Sequence, residues 1–229
     1  MKKIFLFVFV AWLMFANVTM ADSIAGKLGI TVGGGVNYTF DSEFTSAAIA
    51  GWSNEDTIRA GLGWIAGGSL MYGITDNIAV DFDVIYGQVD IKATPAGQLL
   101  QTVGTVKDVD LALGAQWRFM PKKAFVPYIG AGFDIMMNKF SFDDAHSDGA
   151  NMQADNSYGC HLSIGADYFF TSNIALNAEV RGLYGTQTDV NRQYPGQHDV
   201  VAVEYNPTSF SGFIGVRFFF PLKKKVDAQ

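Results

Sequence analysis

The chain has 229 residues, of which 49% are hydrophobic, 14% aromatic and 17% charged, and its formal net charge is -6. This composition excludes a disordered chain, which would combine low hydrophobicity with high net charge. The acidic balance also excludes a nucleic-acid-binding protein, because such proteins need a concentrated basic surface. The single cysteine, Cys160, leaves no intramolecular disulfide framework and no cysteine-based zinc site.

Residues 1–21 have the pattern of a secretory signal peptide. Lys2 and Lys3 precede a continuous apolar stretch, 4–16, and Ala21 supplies a small residue at the cleavage point. The stretch is shorter than the roughly 20 residues of a membrane-spanning helix, so we expect cleavage and not anchoring. Asp22 follows the cleavage point where a lipoprotein would have cysteine. The sequence therefore predicts an exported chain that carries 14 basic and 22 acidic residues once Lys2 and Lys3 are removed.

Beyond the signal segment, the apolar residues follow a period of two. From Leu28 to Phe40 they alternate with glycine, threonine and asparagine, which is typical of a strand with one apolar face. The mature chain has no second apolar run near the roughly 18 residues of a transmembrane helix. The pattern predicts eight strands, at 28–40, 62–72, 78–86, 109–119, 125–137, 158–170, 174–184 and 210–220.

The connections between these strands alternate in length. The tight turns, rich in turn-forming residues, are 74–77, 120–124 and 171–173, and the long polar connections are 41–60, 92–105, 138–156 and 186–207. Short periplasmic turns and longer extracellular loops are typical of bacterial outer-membrane barrels. We therefore predict an all-β fold in the cell outer membrane of a Gram-negative bacterium: an eight-stranded antiparallel transmembrane β-barrel with both termini in the periplasm.

Aromatic residues lie near the ends of the outward rows, as expected for girdles at the two membrane interfaces. No charged residue occupies the middle of an outward row, where an arginine or lysine would cost roughly 2–4 kcal/mol. The alternative is a soluble lipocalin-like barrel, which would hide its apolar row inside. The girdle residues are Tyr38, Phe40, Trp64, Tyr72, Tyr86, Trp117, Phe119, Phe125, Tyr168, Tyr184, Phe218 and Phe220.

The alternate rows, which face the lumen, carry charge. Unpaired charges in a narrow lumen are costly, so we expect them to pair with one another. An eight-stranded barrel is just wide enough for side chains to fill, which favours a closed lumen over an ion-conducting path. We call the predicted set the polar plug: Asp81, Arg118, Asp167, Glu179, Arg181 and Arg217.

A second inward set is apolar and lies from the middle of the barrel toward the extracellular side. It predicts an apolar ligand-binding pocket that is open above and closed below by the polar plug. Ordinary packing of a small barrel explains the same residues equally well. The set comprises Ile65, Ile85, Met136, Leu183 and Phe213.

Four segments, taken in order, resemble the OmpW family of Gram-negative outer-membrane proteins. They are Thr75-Asp76-Asn77-Ile78-Ala79-Val80-Asp81-Phe82, Pro127-Tyr128-Ile129-Gly130-Ala131-Gly132-Phe133, Gly165-Ala166-Asp167-Tyr168 and Gly215-Val216-Arg217-Phe218. The likeness spans roughly residues 62–220. It implies an eight-stranded barrel with a hydrophobic channel from which small apolar molecules leave laterally into the bilayer.

These observations predict a narrow channel for uptake of small hydrophobic molecules, and no enzyme. One alternative is a structural or adhesion barrel that acts through its extracellular loops. A more distant alternative is a lipid A-modifying enzyme, since His161 and Ser163 share a face and resemble the His-x-Ser pair of lipid A deacylases. Asp143, Asp144, His146 and Asp148 lack the spacing of a calcium loop, so no metal site is expected there.

The expected domain organisation is simple. The signal peptide, 1–21, precedes the barrel, 22–220, and a short basic periplasmic tail, 221–229, follows it. The expected partners are outer-membrane lipid, small hydrophobic molecules and the machinery that assembles outer-membrane proteins, with no nucleic acid. No cofactor is expected.

Overall fold

The computed structural model describes residues 21–40, 43–44, 58–93, 101–142, 151–193 and 200–222. These residues form strands and turns, and none of them belongs to a helix with the length and hydropathy needed to cross a membrane. The strands are β1 (Lys27–Thr39), β2 (Glu43–Phe44), β3 (Ile58–Ala60), β4 (Leu62–Gly73), β5 (Ile78–Ala93), β6 (Gln101–Arg118), β7 (Phe125–Phe142), β8 (Asn151–Ala154), β9 (Ser157–Thr171), β10 (Ile174–Gly185), β11 (Thr188–Gln193), β12 (Val200–Tyr205) and β13 (Ser209–Pro221).

Eight of these strands close into an antiparallel barrel in the order β1-β4-β5-β6-β7-β9-β10-β13, and β13 pairs back with β1. The closing pair runs in register from Lys27 opposite Pro221 to Thr39 opposite Ser209. Closure satisfies the backbone hydrogen bonds within the wall, which a membrane-spanning sheet requires. The predicted eight-stranded barrel is confirmed.

The outward rows expose large apolar side chains in every barrel strand. Leu62, Phe133, Leu162 and Ile164 are 71%, 77%, 71% and 70% exposed. A soluble protein does not leave so much contiguous apolar surface in water, whereas a membrane barrel turns it toward lipid. The lipocalin-like alternative is therefore wrong, and the protein lies in the outer membrane.

Aromatic side chains mark both ends of this apolar band. At the extracellular end, the rings of Trp64 and Tyr86 lie 5.4 Å apart, and Phe40 packs edge-on against Phe210 at 5.8 Å. At the periplasmic end, Tyr168 packs against the next outward ring of its strand. The amphipathic rings suit the two membrane interfaces, as the predicted girdles require.

The long connections differ from the expectation, because strand pairing continues beyond the predicted strand ends. On one side of the barrel, β5, β6 and β7 extend upward, as far as Ala93 opposite Gln101 and Gly104 opposite Phe142, and β3 pairs with the top of β5. On the other side, β2, β12, β11 and β8 form a separate four-stranded sheet, here called the upper sheet. Its strands follow the same order as the barrel strands β1, β13, β10 and β9 beneath them.

The upper wall is split into these two halves along two seams. Pairing of β7 with β9 ends at Met136 opposite Ser157, and pairing of β1 with β4 ends at Tyr38 opposite Leu62. Above these points, the described strands of the two halves form no ladder with each other. At the base of the first seam, Asn138 Nδ2 donates to Ser157 Oγ at 2.8 Å.

Candidate functional site

Side chains of the inward rows fill the lumen in layers, and the lowest layer is apolar. In this apolar floor, the rings of Phe169 and Phe219 stack at 5.3 Å. The sequence analysis did not predict the apolar floor. Its signal in the sequence is that Met71, Phe169 and Phe219, near the short turns, are large apolar residues at inward positions. The apolar floor comprises Ala21, Ile24, Met71, Ala79, Val126, Phe169, Ala175 and Phe219.

The chain that precedes β1 is tied across the periplasmic mouth. Gly26 N donates to Gly73 O at 2.8 Å, and Lys27 Nζ donates to Asp22 at 2.9 Å. Ser23 Oγ donates to Asp76, which also forms an ion pair with a lysine of the next turn at 2.9 Å. The Ser23 hydroxyl, followed by that ammonium group, holds the pKa of Asp76 below its ordinary value of 3.8.

Directly above the apolar floor, Asp167 joins two arginines. Its carboxylate has no exposed surface and accepts from Arg118 Nη2 at 2.5 Å and from Arg217 Nη1 at 2.8 Å. Asn177 Nδ2 donates to the same carboxylate at 2.9 Å. The Tyr128 ring lies 5.6 Å from the Arg118 guanidinium carbon and 5.8 Å from that of Arg217. Each guanidinium is thus paired and packed on an aromatic face.

A second ion-pair group lies beside the first. Arg181 Nη2 donates to Asp83, and Arg181 Nε donates to Glu179 Oε1 at 3.1 Å. Tyr128 connects the two groups, because its hydroxyl donates to Glu179 Oε2 at 2.8 Å and accepts from Asn177 at 2.8 Å.

Asp81 completes the polar plug through an amide. Its Oδ2 accepts from Gln116 Nε2 at 2.9 Å, and Gln116 Oε1 accepts from Arg118 at 3.3 Å. The structure therefore brings all six predicted plug residues into one connected network. Sequence reasoning did not include Tyr128 in the plug. The alternation of β7 places it inward, but its large aromatic ring gives no indication that its hydroxyl group forms hydrogen bonds in the network.

A small cavity of about 30 Å³, here called the mid-lumen cavity, lies within the polar plug, where Asp81, Glu179, Arg181 and Arg217 line it. Three of the five predicted pocket residues, Ile65, Ile85 and Phe213, line it together with carboxylates of the plug. The other two, Met136 and Leu183, lie higher. The Met136 Cε atom packs against Gly185, and Leu183 Cδ1 packs against Gly159.

At the level of Leu183, the lumen holds a histidine–carboxylate pair, and an apolar belt lies above it. His161 Nδ1 lies 2.9 Å from Asp134 Oδ1, and both side chains are buried. This contact is the one expected of a structural histidine, and Ser163 has no hydrogen bond to His161 in the described part of the chain. The apolar belt, absent from the sequence prediction, comprises Val89, Ile91, Val106, Phe140, Val190 and Tyr205, all of them buried.

Among the described residues, no group of three His, Cys, Asp or Glu side chains is arranged to hold a metal ion. The acidic segment at 143–148 considered in the sequence lies outside the described residues. Cys160 is exposed on the outward face, as its place in the alternation predicts.

The closed wall, the aromatic girdles and the filled lumen define the class of the protein: a small outer-membrane β-barrel. The chain belongs to the outer membrane protein beta-barrel domain family, which matches residues 7–220. The resemblance to the OmpW family found in the sequence is confirmed.

The chain is similar to the outer-membrane protein y4mB of Sinorhizobium fredii, with 26% identity over 134 residues. That match covers 58% of this chain and 54% of y4mB, so it spans about half the length of that relative.

Two solved structures share the fold. The outer membrane protein OprG from Pseudomonas aeruginosa has a TM-score of 0.72 at 17% identity, over 90% of this chain and 100% of OprG. The outer membrane protein AlkL, solved in DMPC lipid bilayers, has a TM-score of 0.59 at 18% identity, over 90% of this chain and 96% of AlkL.

Proposed function

We propose that this barrel is a narrow channel for uptake of small hydrophobic molecules, which it releases laterally into the outer membrane. The observation that carries the proposal is the order of the lumen layers. Ile65, Ile85 and Phe213 form the apolar side of the mid-lumen cavity and the apolar belt lines the upper lumen, whereas the polar plug and the apolar floor close the periplasmic side. An apolar molecule that enters from outside therefore meets compatible surface first and a charged barrier below.

The closed lower half makes an axial exit unfavourable. A molecule moving straight to the periplasm must separate buried ion pairs around Asp167 and then displace the stacked Phe169 and Phe219. Separating a buried ion pair costs about 3–5 kcal/mol when one partner is lost. A sideways path avoids both barriers.

The first seam, which begins where pairing of β7 with β9 ends and continues upward between β7 and β8, supports a sideways path. Pairing across it stops at Met136, and Asn138 closes its base through side-chain hydrogen bonds to Ser157 Oγ and Asp155 O at 2.8 and 3.2 Å. Side-chain hydrogen bonds open at lower cost than a continuous backbone ladder, because each contributes only about 0.5–1.5 kcal/mol. The exposed Met137 and Tyr158 beside the seam lie at the lipid-facing surface.

Two measurements on the same protein test this function. In planar bilayers we expect no stepwise ion conductance, because the polar plug and the apolar floor fill the lower lumen. In cells that produce the protein, we expect a neutral fluorescent hydrocarbon such as diphenylhexatriene to enter the outer membrane faster than in cells without it. Conductance without faster entry of the hydrocarbon would contradict the proposal, as would the absence of both.

A pair of lumen variants connects the uptake to the predicted pocket residues. Leu183→Arg places a cation in the apolar path, and we expect it to abolish the faster entry of the hydrocarbon. Leu183→Met conserves volume and polarity, so it serves as the matched control. Unchanged uptake in the Leu183→Arg variant would show that the molecules do not pass the predicted pocket.

One observation favours the structural or adhesion alternative. The buried apolar belt lines the upper lumen, where Val89 lies beside Val106 and Val106 beside Phe140 on neighbouring strands. A permanently closed belt would confine function to the extracellular extensions. Deletion of the upper sheet that abolishes attachment to cells or phage, with uptake of the hydrocarbon unchanged, would support that alternative.

The processing of the chain is part of the same proposal. Removal of 1–21 takes Ala21 out of the apolar floor and gives a mature protein that begins at Asp22. The barrel then extends to residue 220 and a basic tail, 221–229, follows it, and the outer-membrane assembly machinery delivers the chain. Residues 1–20 and 223–229 lie outside the described residues. The intact mass of protein isolated from outer membranes tests this division, since any other cleavage point gives a different mass.

A further inference from the structure

Asp81 differs from the other carboxylates of the polar plug because no basic side chain pairs with it. Asp167 pairs with two arginines, and Glu179 pairs with Arg181. Asp81 receives one hydrogen bond, from the neutral amide of Gln116, through Oδ2. The residue is 7% exposed, and its Oδ1 is buried without a hydrogen-bond partner among the described residues. A buried carboxylate oxygen in this state favours a ligand that supplies both a donor and a positive charge.

The described lumen as a whole has an excess of negative charge. Seven inward carboxyl groups face three guanidinium groups, a formal excess of four acidic groups over arginines. The surplus favours any cation that enters the lumen and disfavours an anion. The carboxylates are Asp81, Asp83, Asp108, Asp110, Asp134, Asp167 and Glu179, and the guanidinium groups are those of Arg118, Arg181 and Arg217.

Asp81 also lies where the proposed apolar path ends. It lines the mid-lumen cavity together with Ile65, Ile85 and Phe213. The cavity volume of about 30 Å³ is close to the volume of one water molecule in the liquid. A primary ammonium group is of that size, whereas a quaternary ammonium group is much larger. The neighbouring Gly114 has no side chain, and a Cβ there would come within 2.9 Å of Asp81 Oδ1.

The two arginines that also line the cavity are already engaged. Arg181 pairs with Asp83 and Glu179, and Arg217 pairs with Asp167 and donates to Thr31 at 2.8 Å. Because both guanidinium groups are already paired, Asp81 is the carboxylate of this cavity that has no basic partner among the described residues. A water molecule would satisfy the hydrogen bond of Asp81 but not its charge. An ammonium group satisfies both.

We propose that the barrel binds hydrophobic primary amines, with the ammonium group in the mid-lumen cavity against Asp81 and the apolar body against Ile85 and Phe213. This inference rests on the proposed uptake of hydrophobic molecules and names the class of molecule that the lumen prefers. A neutral molecule of equal length leaves Asp81 uncompensated. An acid of equal length adds a further negative charge to the lumen.

The test compares three probes of one chain length: n-octylamine, n-octanol and octanoate. At pH 7 the amine is protonated, as a lysine side chain is. Binding to the purified barrel in phosphatidylcholine nanodiscs is measured by calorimetry, with empty nanodiscs subtracted. A hydrogen bond to a charged group leads us to expect that n-octylamine binds about tenfold to a hundredfold more tightly than n-octanol, and octanoate more weakly than both.

Asp81→Asn removes the charge and keeps the acceptor for Gln116, so we expect n-octylamine to bind no more tightly than n-octanol. The variant should fold, because it neutralises a buried unpaired carboxylate. Asp90→Asn removes an exposed carboxylate from the same strand and is the matched control, with unchanged binding expected. Asp110→Asn removes a lumen charge that does not line the cavity. An effect of Asp110→Asn as large as that of Asp81→Asn would overturn the assignment of the site to the cavity.

A measurement on the unaltered protein gives an independent check. Octyltrimethylammonium has the same charge and chain but a larger head without N–H donors, and we expect it to bind at least about tenfold more weakly than n-octylamine. Equal binding of these two cations would overturn the proposal. If n-octanol binds as tightly as n-octylamine and Asp81→Asn changes neither, the amine preference is wrong while the channel remains. If no probe binds and the hydrocarbon does not enter cells faster, the proposed function itself fails.

Discussion

Replacing Asp167 with asparagine tests whether the two buried arginines of the polar plug need their shared carboxylate. The substitution keeps the shape of the side chain and removes its charge. Asp167 has no exposed surface, and the side chains of Arg118 and Arg217 are 1% and 2% exposed. Both guanidinium groups would lose their carboxylate partner without gaining water.

The size of the effect follows from these contacts. Removing one partner of a buried ion pair destabilises a protein by about 3–5 kcal/mol, because the remaining charge is left uncompensated. Asp167 serves two arginines at 2.5 and 2.8 Å, so we expect a value near the upper end of that range. With a urea dependence of about 2 kcal/mol/M, the unfolding midpoint should fall by roughly 2–2.5 M.

The assay is urea unfolding of the barrel in lipid vesicles, followed by the fluorescence of the lipid-facing Trp64 and Trp117. A second variant distinguishes an uncompensated charge from a general packing defect. The triple variant Arg118→Met, Asp167→Leu, Arg217→Met removes all three charges, and we expect its stability to lie within about 2 kcal/mol of the unaltered protein or above it. A midpoint shift below about 0.5 M for Asp167→Asn, or equal losses in both variants, would refute the reasoning.

Three further predictions concern the wall and the periplasmic mouth. Gly35→Ala should destabilise the barrel by about 1–3 kcal/mol in urea unfolding, because the new Cβ would lie 1.8 Å from Gly212 O, whereas Gly212→Ala meets nothing within 4 Å and should be nearly neutral. Ile24→Asp should release the N-terminal segment from the apolar floor, seen as faster trypsin cleavage after Lys27 with the barrel intact. The lowered pKa of Asp76 means that its ion pair contributes above pH 3.8 and is lost as the pH falls through the lower folded value. Hydrogen exchange of the peptide that includes Lys27, corrected for intrinsic rates, should become faster in that pH range. In the Asp76→Asn variant it should already be faster at neutral pH. Equal exchange in the two proteins at neutral pH would show that Asp76 does not hold the segment before β1 in place.

The sequence predicted the membrane-embedded wall well because lipid imposes a simple rule there. Each outward position must be apolar over the height of the hydrocarbon core, so strand identity, orientation and girdles can be read from a period of two. Leu62, Leu162 and Ile164 obey this rule and are all largely exposed on the outward face. The inward position of the plug residues follows from the same alternation.

The rule fails where lipid ends. Thr188–Gln193 forms β11, yet its outward residues are polar because they stand above the membrane, so the apolar alternation that identified the other strands is missing. The same reason explains why the sequence places β8 in a loop. The apolar floor was missed for a different reason: Ile24 reaches it from outside any strand, and alternation says nothing about such a residue.

The period-two pattern also could not predict which side chains on distant strands contact each other. Arg118 and Asp167 lie 49 residues apart in the chain, and their pairing depends on the stagger of the closed barrel. That stagger also places Asp81 in the same cavity as Ile65 and Phe213. Alternation identifies which residues face inward but not which of them meet.

The way the barrel is stabilised explains how its lumen tolerates unpaired charge. In a soluble domain the interior supplies most of the stabilising burial, so a buried carboxylate without a partner opposes folding directly. Here the closed ladder of backbone hydrogen bonds and the outward apolar rows in lipid stabilise the wall independently of the lumen. Asp81 and Asp110 can therefore remain unpaired inside a folded barrel. If that reasoning is correct, Asp81→Asn and Asp110→Asn each raise the urea midpoint, because each removes a buried unpaired charge. Only Asp81→Asn removes the preference for amines, so the charge that binds the ligand is not a charge that stabilises the barrel.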